Sequence, residues 1–357
     1  MPENGRAAVR DGAGGPGLPG GSGGAQGTPV QPPPRLTTRT LALFRGEWRG
    51  LCGFSLGVAL FAALVGCALV AGAFAVNRYN FALTWQRAQS EIAYEDRPLG
   101  YFSEQWYSII LRSLPFMGLL VPLAALVLAL LHTGCAVAVR DAVAGGPRPG
   151  RGSLWRRSRP YVWLGFRVQA LTSACAGVPA LLALGLWMFL ENGGVWDFDF
   201  EGLSHATSTP YRLLGYGLPL VLLATALFVW FRLAPATAVA VNGAAGARDA
   251  VRRSWSLTGG ARRWRVVRVC LPLTALVLAA FFALLYAGKP LAHPVGLAVL
   301  WFTHDNPYAT GAVMKIVPTT ASLLLLTALV MPPVSTALAL LRTEGRPAEA
   351  DAGTPGR

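Results

Sequence analysis

Six long apolar segments without a charged residue constrain the fold of this chain more than any other feature. They lack Asp, Glu, Lys and Arg throughout, and they cover residues 51–76, 114–139, 168–190, 213–231, 269–287 and 316–341. A bilayer core takes about 20 apolar residues in helical form, and one charge at a span centre costs roughly 2.5–3.5 kcal/mol. We therefore predict an all-α integral membrane protein whose six transmembrane helices form one membrane domain over residues 39–342.

The remaining segments differ from the spans in composition. Residues 1–38 and 343–357 are rich in Gly, Pro and polar side chains and hold few large apolar residues. Such segments cannot offset their ordering entropy by burial, so we expect two disordered cytoplasmic tails. The run Pro294–Thr303 is apolar but too short to span, and we expect it in the outer interface, anchored by Trp301 and Phe302.

The distribution of basic residues predicts the direction of the spans. With the N-terminus inside, the inner segments hold 24 of the 31 basic residues and the outer segments hold 7. Lys and Arg are retained on the cytoplasmic side, so we predict that both termini are cytoplasmic. The net charge is +14, and the basic residues lie between the apolar runs rather than on one soluble domain. This distribution favours the lipid bilayer, rather than nucleic acid, as the partner. The excess of Arg over Lys, with much Ala, Gly and Pro, indicates a GC-rich bacterial genome and hence a plasma membrane.

A short sequence pattern recurs at the inner end of each even-numbered span. It stands at Cys135–Val139, Thr237–Val241 and Thr336–Leu340, at intervals of 102 and 99 residues. Tryptophans flanked by Arg precede the odd-numbered spans, at Trp48, Trp163 and Trp264. These recurrences indicate three parallel two-helix repeats, and small residues at the returning ends would let helices approach closely.

The inner segment Gly246–Gly260 has the pattern of a short amphipathic helix. Small and apolar residues recur on one face at helical spacing, whereas Arg248, Arg252 and Arg253 point elsewhere. Two glycines then end the helix. We predict a helix that lies on the inner leaflet with its Arg side chains near anionic headgroups, each contributing about 1 kcal/mol of attraction.

The same segment resembles the signature loop of a known family. The run Ala250–Trp255, then Leu257, Thr258 and Gly260, then Trp264, is similar to poorly characterised multi-pass membrane proteins of bacteria and archaea. That family is related to the membrane domain found beside some glycerophosphodiester phosphodiesterases. The inner segment 136–163, with Arg156 and Arg157, resembles the family's earlier inner loop.

The resemblance implies the six-helix membrane module and a lipid-related role. Family members often carry Glu shortly after the proline that corresponds to Pro235, where this chain has Val241 and Asn242, so no role for that acid carries over. Because the resemblance covers the membrane module alone, we do not expect phosphodiesterase activity. The candidate contacts with inner-leaflet lipid or a partner are Arg156, Arg157, Arg248, Arg252, Arg253, Trp255 and Trp264.

No arrangement of residues indicates catalysis or a cofactor. The five cysteines form no CxxC pair, so we expect neither a zinc site nor a disulfide framework. The segment Gly53–Gly57 matches the GxSxG hydrolase pattern, but Ser55 lies in the first span, where its flanking glycines favour a close helix contact. We predict a non-enzymatic protein, with an intramembrane hydrolase acting through Ser55 as an alternative.

Two features of the spans leave a transporter open. His132 is the one histidine within a span, and we expect it to have a packing or interfacial role. Three prolines, Pro318, Pro332 and Pro333, interrupt the sixth span and would permit a backbone binding site, although we expect neighbouring helices and hydroxyl groups to absorb them. The leading prediction is an envelope module that interacts with lipids, a membrane protein partner or a second copy, and the alternative is a transporter or permease subunit.

Overall fold

The computed structural model describes residues 36–93, 103–146, 150–191, 209–260 and 262–343. Within these ranges the regular structure is helical throughout, with no strand. In chain order the helices are α1 (Leu36–Ala93), α2 (Ser103–Val143), α3 (Arg151–Glu191), α4 (Thr209–Leu233), α5 (Ala236–Val241), α6 (Ala247–Leu257), α7 (Arg262–Phe302), α8 (Pro307–Leu325) and α9 (Met331–Thr343). A π-helical turn, Leu326–Val330, joins α8 to α9.

The predicted all-α membrane architecture is confirmed. Six helical stretches in the described chain are long and apolar enough to cross a membrane: α1, α2, α3, α4 with α5, α7, and α8 through α9. Each contains one predicted span. Several helices extend well beyond the bilayer, and the 58 residues of α1 measure about 87 Å against a hydrocarbon core of about 30 Å. The two predicted tails lie outside the described residues, except that 36–38 and 343 belong to helices.

Helices extend into two of the segments between the spans. α7 continues through the run Pro294–Thr303 to Phe302, and Trp301 and Phe302 are exposed, so their place in the outer interface stays a prediction. Close packing on α8 accompanies this continuation, since a Cβ at Gly288 would lie 3.4 Å from the Pro318 carbonyl oxygen. The inner segment 136–163 is also mostly helical, because α2 extends to Val143 and α3 begins at Arg151.

Consecutive spans pack as hairpins. The most extensive contacts join α7 with α8, α1 with α2, and α3 with α4, and α2 also packs on α3 and α9. Because consecutive spans run in opposite directions, one end of the bundle contains the beginnings of α1, α3 and α7 and the ends of α2, α5 and α9. We call it the basic end because it carries most of the arginines. This pairing agrees with the predicted two-helix units, whereas the internal repeat itself stays a prediction.

The three copies of the recurring sequence pattern lie together in the core at the basic end. One buried cluster contains all of Cys135–Val139 together with parts of Thr237–Val241 and Thr336–Leu340. Small side chains permit this approach: a Cβ at Gly134 would lie 2.5 Å from the ring of Phe54 on α1. The predicted close contact between the returning helix ends is therefore confirmed.

The sixth span is irregular where its prolines lie. Pro332 has no N–H to donate to the Ala328 carbonyl, and the Met331 N–H bonds to the Leu326 oxygen in the π-helical turn. The buried Ser55 hydroxyl on α1 donates to the Ala328 oxygen at 2.9 Å instead. The neighbouring helix α1 therefore accommodates this proline, as expected, through the hydroxyl of the GxSxG segment. The close helix contact expected at the flanking glycines is wrong for Gly57, which has open space around it.

Candidate functional site

Helix α6 is held against the bundle by its small face. Ala250, Ser254 and Thr258, at successive helical turns, are almost completely buried. Ala250 packs in one cluster with Val168 of α3 and Val239 of α5. The sequence predicted that these residues share a face, and the structure shows that this face packs on protein. Any contact of α6 with lipid must therefore use its other side.

Arg232, at the end of α4, fixes the C-terminus of α6. Its Nη2 donates to the Trp255 carbonyl at 2.6 Å and its Nε to the Thr258 hydroxyl at 3.3 Å. Its guanidinium carbon lies 3.7 Å from the centroid of the Trp255 ring, a cation–π contact. In return, the Ser254 hydroxyl donates to the Arg232 carbonyl at 2.9 Å. Arg232 was not predicted from the sequence, in which its only signal is its position at the end of a span near Pro235.

Asp249 organises the beginning of α6. Its carboxylate accepts the Ala245 N–H at 3.0 Å and pairs with Arg253, four residues on, at 2.9 Å. The backbone hydrogen bond from Ala245, followed by that from Arg253, lowers the pKa of Asp249. Asp249 is therefore charged at neutral pH, and it compensates the charge of Arg253.

Two arginines of α6 form no ion pair with any residue in the described ranges. Arg248 and Arg252 are both exposed, and Arg252 acts on Asp249 only through its charge, which helps to lower the pKa of that carboxyl. Trp255, two-fifths exposed, belongs to the same helix. We call Arg248, Arg252 and Trp255 together the α6 surface. It combines two free cations with an amphipathic ring, a pairing suited to phosphate groups at a membrane interface.

A second ionic group joins α2 to α3. Asp141 pairs with Arg157 at 2.9 Å and with Arg140 at 3.3 Å. Arg140 also donates to the Tyr161 hydroxyl at 3.1 Å and to the Val241 carbonyl at 3.4 Å. Arg157 is thus engaged in holding helices together and is a weaker candidate for an external ligand than the sequence suggested.

The remaining predicted contacts lie on other helices. Arg156, on α3, is exposed and forms no ion pair in the described part of the chain. Trp264, near the beginning of α7, is about three-fifths exposed. The seven predicted residues therefore divide into the α6 group (Arg248, Arg252, Arg253 and Trp255), the α3 group (Arg156 and Arg157) and Trp264, and the α6 group is the largest of the three. Within the described ranges, no group of three or more His, Cys, Asp or Glu side chains is placed to hold a metal ion.

Comparison with known proteins adds no relative. No protein-family model, no curated protein and no solved structure matches this chain. The resemblance to the membrane domain associated with glycerophosphodiester phosphodiesterases therefore stays a prediction that rests on the residues of α6 and its flanks.

Proposed function

We propose that this protein is a non-enzymatic membrane module that binds anionic lipid headgroups through the α6 surface. The observation that carries the proposal is the docking of α6. Its small face is buried and its C-terminus is fixed by Arg232, while Arg248 and Arg252 are exposed and form no ion pair with the described residues. A helix held in this way presents its cations in one geometry, so little conformational freedom is lost when a headgroup binds.

The expected strength of the attraction follows from membrane electrostatics. A cation at the surface of an anionic leaflet contributes on the order of 1 kcal/mol. Two free arginines then contribute about 2 kcal/mol, which corresponds to about thirtyfold enrichment of an anionic over a neutral lipid. Arg157 and Arg253 add less, because each faces a carboxylate within the protein.

Charge reversal on the α6 surface tests the proposal. The protein is purified from a bilayer that contains phosphatidylglycerol and phosphatidylcholine, and the retained lipids are counted by native mass spectrometry. We expect the double substitution Arg248→Glu and Arg252→Glu to lower phosphatidylglycerol retention at least tenfold. The matched control, Arg78→Glu with Arg87→Glu, reverses two exposed charges near the other end of α1 and should leave retention unchanged.

Equal retention in the two double variants would refute a lipid site at α6. A loss confined to the α6 variant would support it, provided that both variants elute as the same species in gel filtration. If the α6 variant instead loses a co-purifying protein and keeps its lipids, the surface is a partner interface.

We also propose that the basic end faces the cytoplasm, in a bacterial plasma membrane. The uneven distribution of basic residues supports this orientation. Reporter fusions at Gly146, Ser204 and Gly260 should report inside, outside and inside, respectively. Any other pattern would contradict the orientation, and with it the access of α6 to the inner leaflet.

A transporter or permease subunit is the second candidate, favoured by the π-helical turn Leu326–Val330. Such turns inside α-helices are frequent at functional sites, and this one precedes the buried Pro332 in the sixth span. Solute flux in proteoliposomes should then change when Pro332→Ala restores the N–H that the helix lacks at this position. Flux that is indifferent to that substitution would count against a transport role for the break.

A further inference from the structure

A cavity lies between the helices of the bundle, apart from the α6 surface, and it is partly open at the side where the exposed Leu278 borders it. It has a volume of about 150 Å³ and is bordered by α2, α3, α4, α5, α7 and α9. Most of its wall is apolar and includes Trp230, Phe231 and Val277. Its polar lining consists of His132, Gln169, Thr172, Thr237, Cys270 and Thr274. Six polar side chains therefore border one space between the charge-free spans.

Several of these polar groups have no partner in the described protein. The Nε2 atom of His132 is buried and accepts no hydrogen bond. The hydroxyls of Thr237 and Thr274 make none with any described residue, whereas the Thr172 hydroxyl donates to the Gln169 carbonyl at 3.0 Å. An unsatisfied polar group at membrane depth costs several kcal/mol. The cavity therefore offers hydrogen bonds that the protein itself does not use.

The volume of the cavity and the absence of charged residues from its lining restrict which molecules can bind in it. A cavity of this volume accepts a molecule of about the size of benzene. No Asp, Glu, Lys or Arg borders it, so a charged ligand would lose its hydration without gaining a counter-charge. A neutral imidazole can carry its proton on Nδ1, which leaves Nε2 as an acceptor, and a ligand that satisfies His132 in this tautomer must bring a donor.

We propose that this cavity binds a small neutral molecule with a ring-sized apolar body and one hydroxyl, that is, a phenol or alcohol of about eight non-hydrogen atoms. The hydroxyl donates to His132 and accepts from Thr237 or Thr274. The apolar body lies against the aromatic and aliphatic wall. This site is independent of the lipid-binding function proposed for α6.

A pair of matched probes tests the proposal. In 4-fluorophenol a hydroxyl stands where 4-fluorotoluene has a methyl group, so the two differ in the hydrogen bond and little in size. Binding of each to the purified full-length protein in detergent is followed by fluorine NMR titration. We expect 4-fluorophenol to bind about tenfold more tightly, which is the effect of one well-placed hydrogen bond.

Four variants distinguish binding in the cavity from partitioning into the detergent micelle. Val277→Phe fills the space and should abolish saturable binding of both probes. His132→Leu and Thr237→Val should each reduce the preference for the phenol at least threefold, and the second is the safer variant if the first folds poorly. The control Thr225→Val changes an exposed residue whose hydroxyl donates within its own helix, and it should change neither affinity.

Three results would overturn the proposal. Equal affinity for the two probes would show that the polar lining does not take part. Binding that survives Val277→Phe would place the probes in the micelle or elsewhere on the protein. Absence of saturable binding of either probe would mean that water fills the cavity, which has room for about five molecules.

Discussion

The hydrogen bond from Ser55 to the Ala328 carbonyl makes a sharp prediction about stability. Both residues are buried, and the bond, at 2.9 Å, joins α1 to the sixth span. In Ser55→Ala the carbonyl is left without a donor, because Pro332 has no N–H to offer. Hydrogen bonds between membrane helices average about 0.6 kcal/mol and reach about 1.7 kcal/mol. We expect a loss of about 1–2 kcal/mol in the free energy of unfolding, since Pro332 and Pro333 offer this carbonyl no N–H four or five residues further on.

A double-mutant cycle isolates the proposed cause. Pro332→Ala restores an N–H four residues after Ala328, and this N–H can replace the serine hydroxyl as donor. In that background, Ser55→Ala should cost only a few tenths of a kcal/mol, giving a coupling energy of about 1 kcal/mol. The measurement is equilibrium unfolding by steric trapping in bicelles, for the four proteins of the cycle.

The control for this cycle is Thr225→Val, which removes an exposed hydroxyl bonded within its own helix. Its effect should be close to zero in both backgrounds. If Ser55→Ala costs the same with and without Pro332, within about 0.5 kcal/mol, the two residues do not share the carbonyl and the explanation given for the irregular span is wrong.

Three further predictions concern helix packing and α6. Gly134→Ala should lower the free energy of unfolding by about 1–3 kcal/mol because its Cβ would meet the Phe54 ring, whereas Gly57→Ala, with open space around it, should be nearly neutral in the same unfolding assay. The pKa of Asp249 is lower in the folded protein than in the unfolded chain, so its contribution to stability is present above the unfolded value and is lost as the pH falls through the folded value. The protection factors of the α6 amides, taken against the intrinsic exchange rate at each pH, should therefore fall below about pH 4 in the wild type, and Asp249→Asn should show the lower protection already at neutral pH. Arg232→Ala should accelerate exchange in the last turn of α6 and leave α3 unchanged, and unaltered exchange there would contradict its capping role.

The spans and the amphipathic helix could be predicted from sequence because both depend on local patterns. Absence of charge over about 20 residues marks a span wherever it occurs, and the spacing of Ala250, Ser254 and Thr258 marks a helix face. What that face contacts depends on tertiary packing, which these local patterns do not determine. That α6 lies on the inner leaflet stays a prediction, and the structure shows in addition that its small face packs on α3 and α5.

The roles of individual arginines could not be predicted for the same reason. Arg157 finds Asp141 sixteen residues away across a helix pair, and Arg232 caps a helix that begins fifteen residues after it. Neither distance has a sequence signature. Counting charges therefore predicted which end of the bundle is basic, but it did not separate the arginines that hold the bundle together from Arg248 and Arg252, which are free to bind.

The partnership of Ser55 with the sixth span has a consequence for synthesis. Its acceptor lies 273 residues further along the chain, so at 5–20 residues per second the ribosome needs about 15–55 s to supply it. During that interval the first hairpin must wait in the bilayer with the side of α1 that will receive the sixth span still uncovered. A nascent chain stalled before Leu326 would therefore expose a surface that membrane chaperones or proteases can recognise as unfinished.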